Sequence, residues 1–137
     1  MNEEWNQWHP REGLAKRYNV RNITEDHTGF AILFSEEQHD NRGLRISFGY
    51  AAGSYRRIDE TLCNELIGQL ELLHGKNFYS QWTFFIVHNL NYAKWLNEYS
   101  LEISDYIGYT HFSFFMSESI IDVLATRPPT FSDVDLS

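Results

Sequence analysis

Large apolar residues recur at every second position in two early segments, and this pattern predicts β-strands. Segments 30–34 (FAILF) and 44–50 (LRISFGY) place a large apolar side chain at every second position. The intervening positions of the second segment are Arg45, Ser47 and Gly49, so one face of that strand is expected to meet solvent. A turn at 51–54 then leads into a third short strand, Tyr55 to Ile58.

After Asp59 the hydrophobic period becomes that of a helix. Leucines recur at positions 62, 66, 70 and 73, which lie on one face of an α-helix. Asp59 suits the N-cap position and Gly75 suits the left-handed C-cap. The sequence therefore predicts a helix between these two residues.

The second half of the chain predicts three more strands and one more helix. Segment 82–87 (WTFFIV) is apolar at every position except Thr83, which is typical of a strand covered on both faces. Asn91 is a suitable N-cap for a helix whose Tyr92, Trp95 and Tyr99 share a face. Segments 112–116 and 120–125, joined by a short polar turn, predict a β-hairpin.

The two ends of the chain carry separate expectations. Trp5 and Trp8 are three residues apart before Pro10, which predicts a short helical turn with both indoles packed on the core or at an interface. Residues 127–137, which follow two prolines, are expected to form a frayed acidic tail. The whole pattern predicts one globular domain, 1–137, of the α+β class. We expect an antiparallel or mixed sheet of five to six strands with two helices packed on one face.

Composition supports a soluble cytoplasmic protein. Hydrophobic residues make up 42% and aromatic residues 16% of the 137 positions, enough for a core with aromatic side chains left for interfaces. Cys63 is the single cysteine, which excludes an internal disulfide and a cysteine-based metal site and fits a reducing compartment. No apolar run approaches the ~18–20 residues that span a bilayer, and no secretory signal is recognisable. We therefore expect no membrane association.

The negative charge lies in the second half. Residues 58–126 contain nine acids and two lysines, whereas residues 1–57 balance eight acids with eight bases, and the formal net charge is −8. Such asymmetry indicates a basic partner rather than a particular fold. Nucleic acid is not expected as the partner, because an acidic domain lacks the concentrated basic stripe that phosphate binding requires.

Few residues suggest catalysis. Cys63 lies inside the first predicted helix, which favours a buried structural thiol over a nucleophile. His88 lies at the end of one predicted strand, His111 lies at the start of the next, and Asp122 lies within the last predicted strand between apolar neighbours. These three residues could form a metal site or a hydrolase centre if the fold brings them together. Their spacing matches no signature, so no metal, cofactor or catalytic residue is expected.

Several segments resemble those of small bacterial proteins. They are 83–96 (TFFIVHNLNYAKWL), 111–114 (HFSF) and 121–124 (IDVL). In size, acidity and aromatic content the chain is similar to the acidic immunity proteins that block nuclease-type toxins in contact-dependent growth inhibition and related polymorphic toxin systems. The resemblance implies a non-catalytic cytoplasmic protein that neutralises a basic toxin domain.

The partner-binding residues expected on this interpretation come from the two helices and the segment that follows them. They are Glu65, Glu71, Glu98, Glu102 and Asp105 for charge complementarity, with Trp95 or Tyr99 as an aromatic anchor. The alternative is a small hydrolase or metal-dependent enzyme using His88, His111 and Asp122. A third possibility is a subunit that buries its aromatic residues in a homo-oligomer.

Overall fold

The computed structural model describes residues 4–88 and 91–137. Within them the chain forms nine β-strands and three α-helices, with a single 3₁₀ turn at Glu60–Leu62 before the first helix. The strands are β1 Glu4–Gln7, β2 Tyr18–Asp26, β3 Gly29–Glu36, β4 Arg42–Gly49, β5 Ala52–Asp59, β6 Phe84–His88, β7 Thr110–Phe115, β8 Ser119–Ala125 and β9 Thr130–Asp135. The helices are α1 Asn64–His74, α2 Asn91–Tyr99 and α3 Ile103–Ile107.

The strands form two antiparallel sheets instead of one. The five-stranded sheet has the order β1-β6-β7-β8-β5, and the four-stranded sheet has the order β2-β3-β4-β9. The expected single sheet of five to six strands with two helices is therefore wrong. The difference arises from strands that the hydrophobic pattern did not reveal and from a third helix.

The core between the two sheets is aromatic. Phe34 of the four-stranded sheet packs against Phe84 and Phe114 of the five-stranded sheet, with ring centroids 6.3 and 5.3 Å apart. Phe48 lies 5.6 Å from Phe112 in the same layer. Such tilted and edge-to-face contacts are the preferred geometry of aromatic pairs. The alternating apolar residues of β3 and β4 thus face the other sheet, as two-sheet packing requires.

The outer face of the five-stranded sheet is covered by helices and loops. Tyr79, which follows α1, packs on Phe115 with ring centroids 5.2 Å apart, and Phe78 packs on Phe85 at 5.3 Å. Tyr92 of α2 meets the edge of the His111 ring at 5.6 Å. Strand β6 is therefore covered on both faces, which confirms the interpretation of its continuous apolar run.

The first helix begins later than its hydrophobic pattern indicates. Asp59 accepts a hydrogen bond from the Thr61 backbone N–H at 3.0 Å, and thereby caps the 3₁₀ turn. The α-helix itself starts at Asn64 and ends at Gly75, whose φ of +93° is the positive value expected of a C-terminal glycine. Of the leucine stripe, Leu70 is fully buried, whereas Leu62 and Leu73 are exposed.

Both ends of the chain differ from expectation. Trp5 lies in β1, an extended strand paired with β6, so the predicted helical turn does not form. Both indoles nevertheless pack inside, Trp5 against Phe85 and Trp8 against Phe112. Residues 130–135, expected within a frayed tail, form β9 and pair with β4 from Ser47 to Arg42.

Candidate functional site

The segment from α2 to α3 exposes an unusual amount of apolar surface. Its large exposed side chains are Trp95, Tyr99, Leu101, Ile103, Tyr106 and Ile107, with exposures that run from 49% for Ile107 to 92% for Tyr106. Three acids, Glu98, Glu102 and Asp105, are interspersed among them and are also exposed. We call these nine residues the α2–α3 surface. Contiguous exposed apolar groups rimmed by polar ones mark interaction sites in soluble proteins.

An aromatic stack runs along α2 from the protein interior to the α2–α3 surface. The rings of Tyr92 and Trp95 are nearly parallel, 17° apart with centroids separated by 5.9 Å, and Trp95 continues the stack onto Tyr99 at 5.3 Å. Spacings of three and four residues place these side chains on one face of a helix. Because Tyr92 is buried, the inner end of the stack is fixed while Trp95 and Tyr99 extend into solvent.

Tyr92 is held by residues of the five-stranded sheet. The guanidinium carbon of Arg56 lies 4.2 Å from the centre of the Tyr92 ring, which is cation–π geometry. The Tyr92 hydroxyl also hydrogen bonds to the hydroxyl of Ser54. Both contacts come from β5, so this strand and α2 form one unit.

Arg56 also binds a buried carboxylate. Its Nε donates to Asp122 Oδ2 at 3.0 Å, and His111 Nε2 lies 2.7 Å from Asp122 Oδ1. Asp122 and His111 expose only 4% and 2% of their side chains. Burial by itself raises the pKa of Asp122. The hydrogen bond and charge of His111 and the guanidinium of Arg56 outweigh burial, and the pKa lies below its ordinary value. Asp122 is therefore an ionised group at neutral pH.

The sheet register places this cluster together. Arg56 of β5 is directly opposite Asp122 of β8, and Asp122 is directly opposite Ser113 of β7. His111 precedes Ser113 by two residues and so projects on the same outer face of the sheet. A cleft of about 340 Å³ between this face and α1 reaches Asp122 and Arg56, and Glu65 of α1 lines it.

The predicted trio of His88, His111 and Asp122 does not assemble. His111 and Asp122 meet, but His88 follows Val87, whose register partner is His111, and therefore projects to the opposite face of the sheet. His88 is exposed there. Among residues 4–88 and 91–137 no group of three or more histidine, cysteine or acidic side chains is arranged to hold a metal ion.

Cys63 lines the same cleft, and its thiol is not activated as a nucleophile. The thiol is buried and lies 3.4 Å from the carbonyl oxygen of Asp59. Burial, and after it the nearby carboxylate of Asp122, raises the pKa of the Cys63 thiol. The prediction that Cys63 lies inside the first helix is wrong, because Cys63 is the N-cap residue before α1. The raised pKa nevertheless leaves little thiolate at neutral pH, which favours a structural cysteine.

The predicted partner-binding residues divide between two places. Trp95, Glu98, Tyr99, Glu102 and Asp105 all belong to the α2–α3 surface. Glu65 and Glu71 lie on α1, where Glu71 accepts a hydrogen bond from the Tyr79 hydroxyl at 2.8 Å. Within the described residues, Asp59, Asp122 and Asp133 each form an ion pair. The five predicted acids of the partner-binding set form none in that part of the chain: Glu65, Glu71, Glu98, Glu102 and Asp105.

The turn between α2 and α3 is strained. Leu101 and Glu102 have φ values of +53° and +72°, which residues other than glycine rarely adopt. The Asn97 side chain holds the turn, since its Oδ1 accepts from the Asp105 backbone N–H at 3.1 Å and from Ser104 Oγ at 3.3 Å. Strain of this kind often accompanies functional surfaces.

Sequence patterns missed four exposed apolar residues of this site: Leu101, Ile103, Tyr106 and Ile107. They lie in or beside α3, whose five residues are too few to show helical periodicity. One feature of the sequence could have revealed this surface. Three large aliphatic residues lie close together there with acids among them: Leu101, Glu102, Ile103, Asp105 and Ile107.

Comparison with known proteins identifies no relative of this chain. No protein-family model matches the chain, and no curated protein or solved structure is significantly similar to it. Within the described residues, every helix is too short or too polar to cross a membrane. The geometry of the sites is therefore what supports a function.

Proposed function

We propose that this chain is a non-catalytic cytoplasmic binding protein that neutralises a basic protein, as an immunity protein neutralises a nuclease-type toxin domain. The α2–α3 surface is the docking site in this proposal. Trp95 and Tyr99 provide aromatic anchors at its centre, while Glu98, Glu102 and Asp105 meet basic side chains of the partner.

The observation that carries this proposal is the combination of apolar exposure and unpaired negative charge in one short segment. Six large apolar side chains and three acids lie between Trp95 and Ile107, and none of these acids forms an ion pair within the described chain. Exposed apolar area is costly unless a partner covers it, and unpaired acids accelerate encounter with a basic partner. The two features together support an interface that a basic partner covers.

The construction of the surface also favours binding. The stack from Tyr92 to Tyr99 and the Asn97 contacts fix the positions of the anchors before any partner arrives. A preorganised interface loses less conformational entropy on association, so more of the contact free energy appears as affinity. Glu65 and Glu71 of α1 extend the negative field, although they lie outside the α2–α3 surface.

A small hydrolase that uses His111 and Asp122 is the second candidate. The 2.7 Å contact between these residues and the cleft beside Asp122 favour it. It has weaker support because His88 projects away. Moreover, His111 Nδ1 is buried without a hydrogen-bond partner among the described residues, so no nucleophile stands beside it.

The proposal is tested by capture from an extract of the organism that encodes the chain, at about 0.05 M and about 0.5 M salt. We expect wild-type protein to retain a basic protein at low salt. Glu98→Lys should reduce the association rate with that protein by about tenfold, because it replaces an attractive charge with a repulsive one. Trp95→Ala should accelerate dissociation by a larger factor, since central aromatic anchors carry most of the binding energy.

Asp40→Lys is the matched control for Glu98→Lys. Asp40 is exposed in the turn between β3 and β4, so the substitution makes the same change in net charge away from the helices. Equal losses for both variants would indicate a general effect of net charge and would contradict docking at α2. Failure to retain any basic protein at low salt would contradict the proposal itself.

A further inference from the structure

Strand β5 has a free edge. It is the last strand of the five-stranded sheet, and its backbone pairs with β8 alone. Among the described residues, no backbone hydrogen bond from residues 53–58 reaches any other segment of the chain. Alternate N–H and C=O groups along this strand therefore face away from the sheet, where another strand can pair with them.

A cavity lies between this edge strand and α2. It has a volume of about 310 Å³ and is lined by Ser54, Tyr55 and Arg56 of β5 together with Tyr92 and Trp95 of α2. Ser54 and Arg56 project to the outer face of the sheet, where they contact Tyr92, and Tyr55 projects to the opposite face. In the described structure β5 is the sole strand that lines this cavity, so the cavity lies at the edge of the sheet, with Trp95 as its wall.

A second cavity of about 310 Å³ lies beside the start of the same strand. It is lined by Gly53 of β5, by Leu96 and Tyr99 of α2, and by Ile103, Ile107 and Tyr109, with Ser100 and Ser104 between them. Gly53 lies at an irregularity of the β5–β8 register. A Cβ atom there would fall within about 2.5 Å of the Tyr109 ring, so glycine permits the ring to form this wall.

From these features we propose that an extended segment of the basic partner adds to β5 as a sixth strand and places apolar side chains in the two cavities. The inference rests on the proposed function and specifies its mode of recognition. Backbone pairing supplies part of the affinity in such strand addition, and pockets for side chains supply the specificity.

Charge fixes where the basic residues of that segment lie. The cavity beside Gly53 is bordered by α2 and α3, which carry Glu98, Glu102 and Asp105. At the other end of β5, Arg56 and Arg57 are already matched by Asp122 and Asp59. Lysines or arginines therefore belong at the end of the segment beside Gly53. A second copy of this chain is a poor occupant, because it would bring net charge −8 against the same acids.

The test uses two synthetic peptides with the same composition. Each has five alternating tyrosine and isoleucine residues, and three lysines follow this block in one peptide and precede it in the other. Strand addition predicts that the peptide with lysines beside Gly53 binds more tightly. Gly53 lies near the N-terminal end of β5. Lysines at the C-terminus of the peptide therefore lie beside Gly53 if the peptide pairs antiparallel to β5, and lysines at its N-terminus do so if it pairs parallel. Amide hydrogen exchange of ¹⁵N-labelled protein should slow by about tenfold or more at alternate residues of β5 on binding.

The matched control is the tighter peptide with N-methyl groups on alternate backbone nitrogens. Its side chains and charge are unchanged, but the methyl groups remove the donors that a new strand needs, so binding should fall by about tenfold or more. A second comparison uses Trp95→Ala, which removes the wall of the first cavity. Its fold is checked by thermal unfolding, and it should also bind the peptide more weakly.

Two outcomes overturn strand addition. One is peptide binding that shifts the resonances of α2 and α3 while β5 exchange stays unchanged. The other is the absence of binding by both peptides at about 1 mM, the weak limit for a specific contact. Neither outcome removes the proposed function, which fails separately if no basic protein is captured from the extract.

Discussion

The buried carboxylate of Asp122 connects the interior of the protein to its exposed surface. Asp122 fixes Arg56, Arg56 covers the ring of Tyr92, and Tyr92 begins the stack that ends in Trp95 and Tyr99. A charge removed from water is costly unless it is paired and hydrogen bonded, and here His111 and Arg56 provide both. The positions of Trp95 and Tyr99 are thus connected to a carboxylate buried inside the protein.

Acid unfolding tests the role of Asp122. Its pKa is lower in the folded protein than in the unfolded chain, so it contributes stability above the unfolded value of about 3.9 and loses that contribution as pH falls through the folded pKa. Asp122→Asn should therefore lower the free energy of unfolding by about 1–3 kcal/mol at neutral pH. The difference from wild type should shrink below about pH 4, as measured by urea unfolding across pH.

Asp40→Asn is the control for this measurement, because Asp40 is exposed and makes no ion pair in the described structure. It should change stability by less than about 0.5 kcal/mol. A stability gap for Asp122→Asn that stays constant from neutral to acid pH would show that lost packing, not lost charge, causes it.

At the scale of elements, Gly29 and Gly68 differ in whether the structure requires a glycine at that position. Gly29 begins β3 with φ +106°, and a Cβ atom there would lie 2.3 Å from the Gly49 backbone. Gly68 lies within α1, is exposed, and has no neighbour within 4 Å of where a Cβ would be. The first glycine is required by contact and conformation, whereas the second merely weakens its helix.

We therefore expect alanine at position 29 and alanine at position 68 to change the free energy of unfolding in opposite directions. Gly68→Ala should raise the free energy of unfolding by about 0.5–1 kcal/mol, since alanine favours the helix. Gly29→Ala should lower it by more than about 2 kcal/mol, because the β3–β4 hairpin must distort. Chemical denaturation of both variants checks this pair of outcomes. Destabilisation by Gly68→Ala would mean that α1 is not packed as described.

The strands that the sequence pattern did not reveal share a position in the sheets. Strands β1, β2 and β9 are all edge strands, with β1 in the five-stranded sheet and the other two at the edges of the second sheet. Edge strands carry charged and polar residues that prevent unwanted pairing, and β2 reads YNVRNITED. Their apolar periodicity is therefore weak. The interior strands β3, β4, β6, β7 and β8 bury large apolar side chains regularly, and the pattern revealed each of them.

The candidate site was predictable in part for related reasons. The amphipathic pattern of α2 revealed Trp95, Tyr99 and Glu98, because nine residues are enough to show a helical period. The strand pattern placed His111 at the start of one predicted strand and Asp122 within the next. It could not show that Arg56 faces Asp122, since register between distant strands depends on tertiary pairing. The two cavities along β5 also arise only when α2 and α3 pack beside that strand.

For the whole molecule, the arrangement of layers separates scaffold from surface. The two sheets bury an aromatic core, and the helices rest on the outer face of the five-stranded sheet. The outer face of the other sheet is polar, with Arg45 exposed on β4. The apolar and negative α2–α3 surface thus lies on one side of a molecule whose other side has no comparable feature among the described residues.

A photoreactive amino acid placed at single positions tests docking on that side most directly. It is introduced at Tyr106, which is exposed on the α2–α3 surface but is not one of the two anchors, or, as the comparison, at Arg45. Each variant is irradiated in an extract of the organism that encodes the chain, at about 0.05 M and about 0.5 M salt. We expect position 106 to cross-link a basic protein at the lower salt concentration only and position 45 to cross-link none. Cross-linking of that protein from position 45 alone, or only of a second copy of this chain from position 106, would contradict docking at the α2–α3 surface.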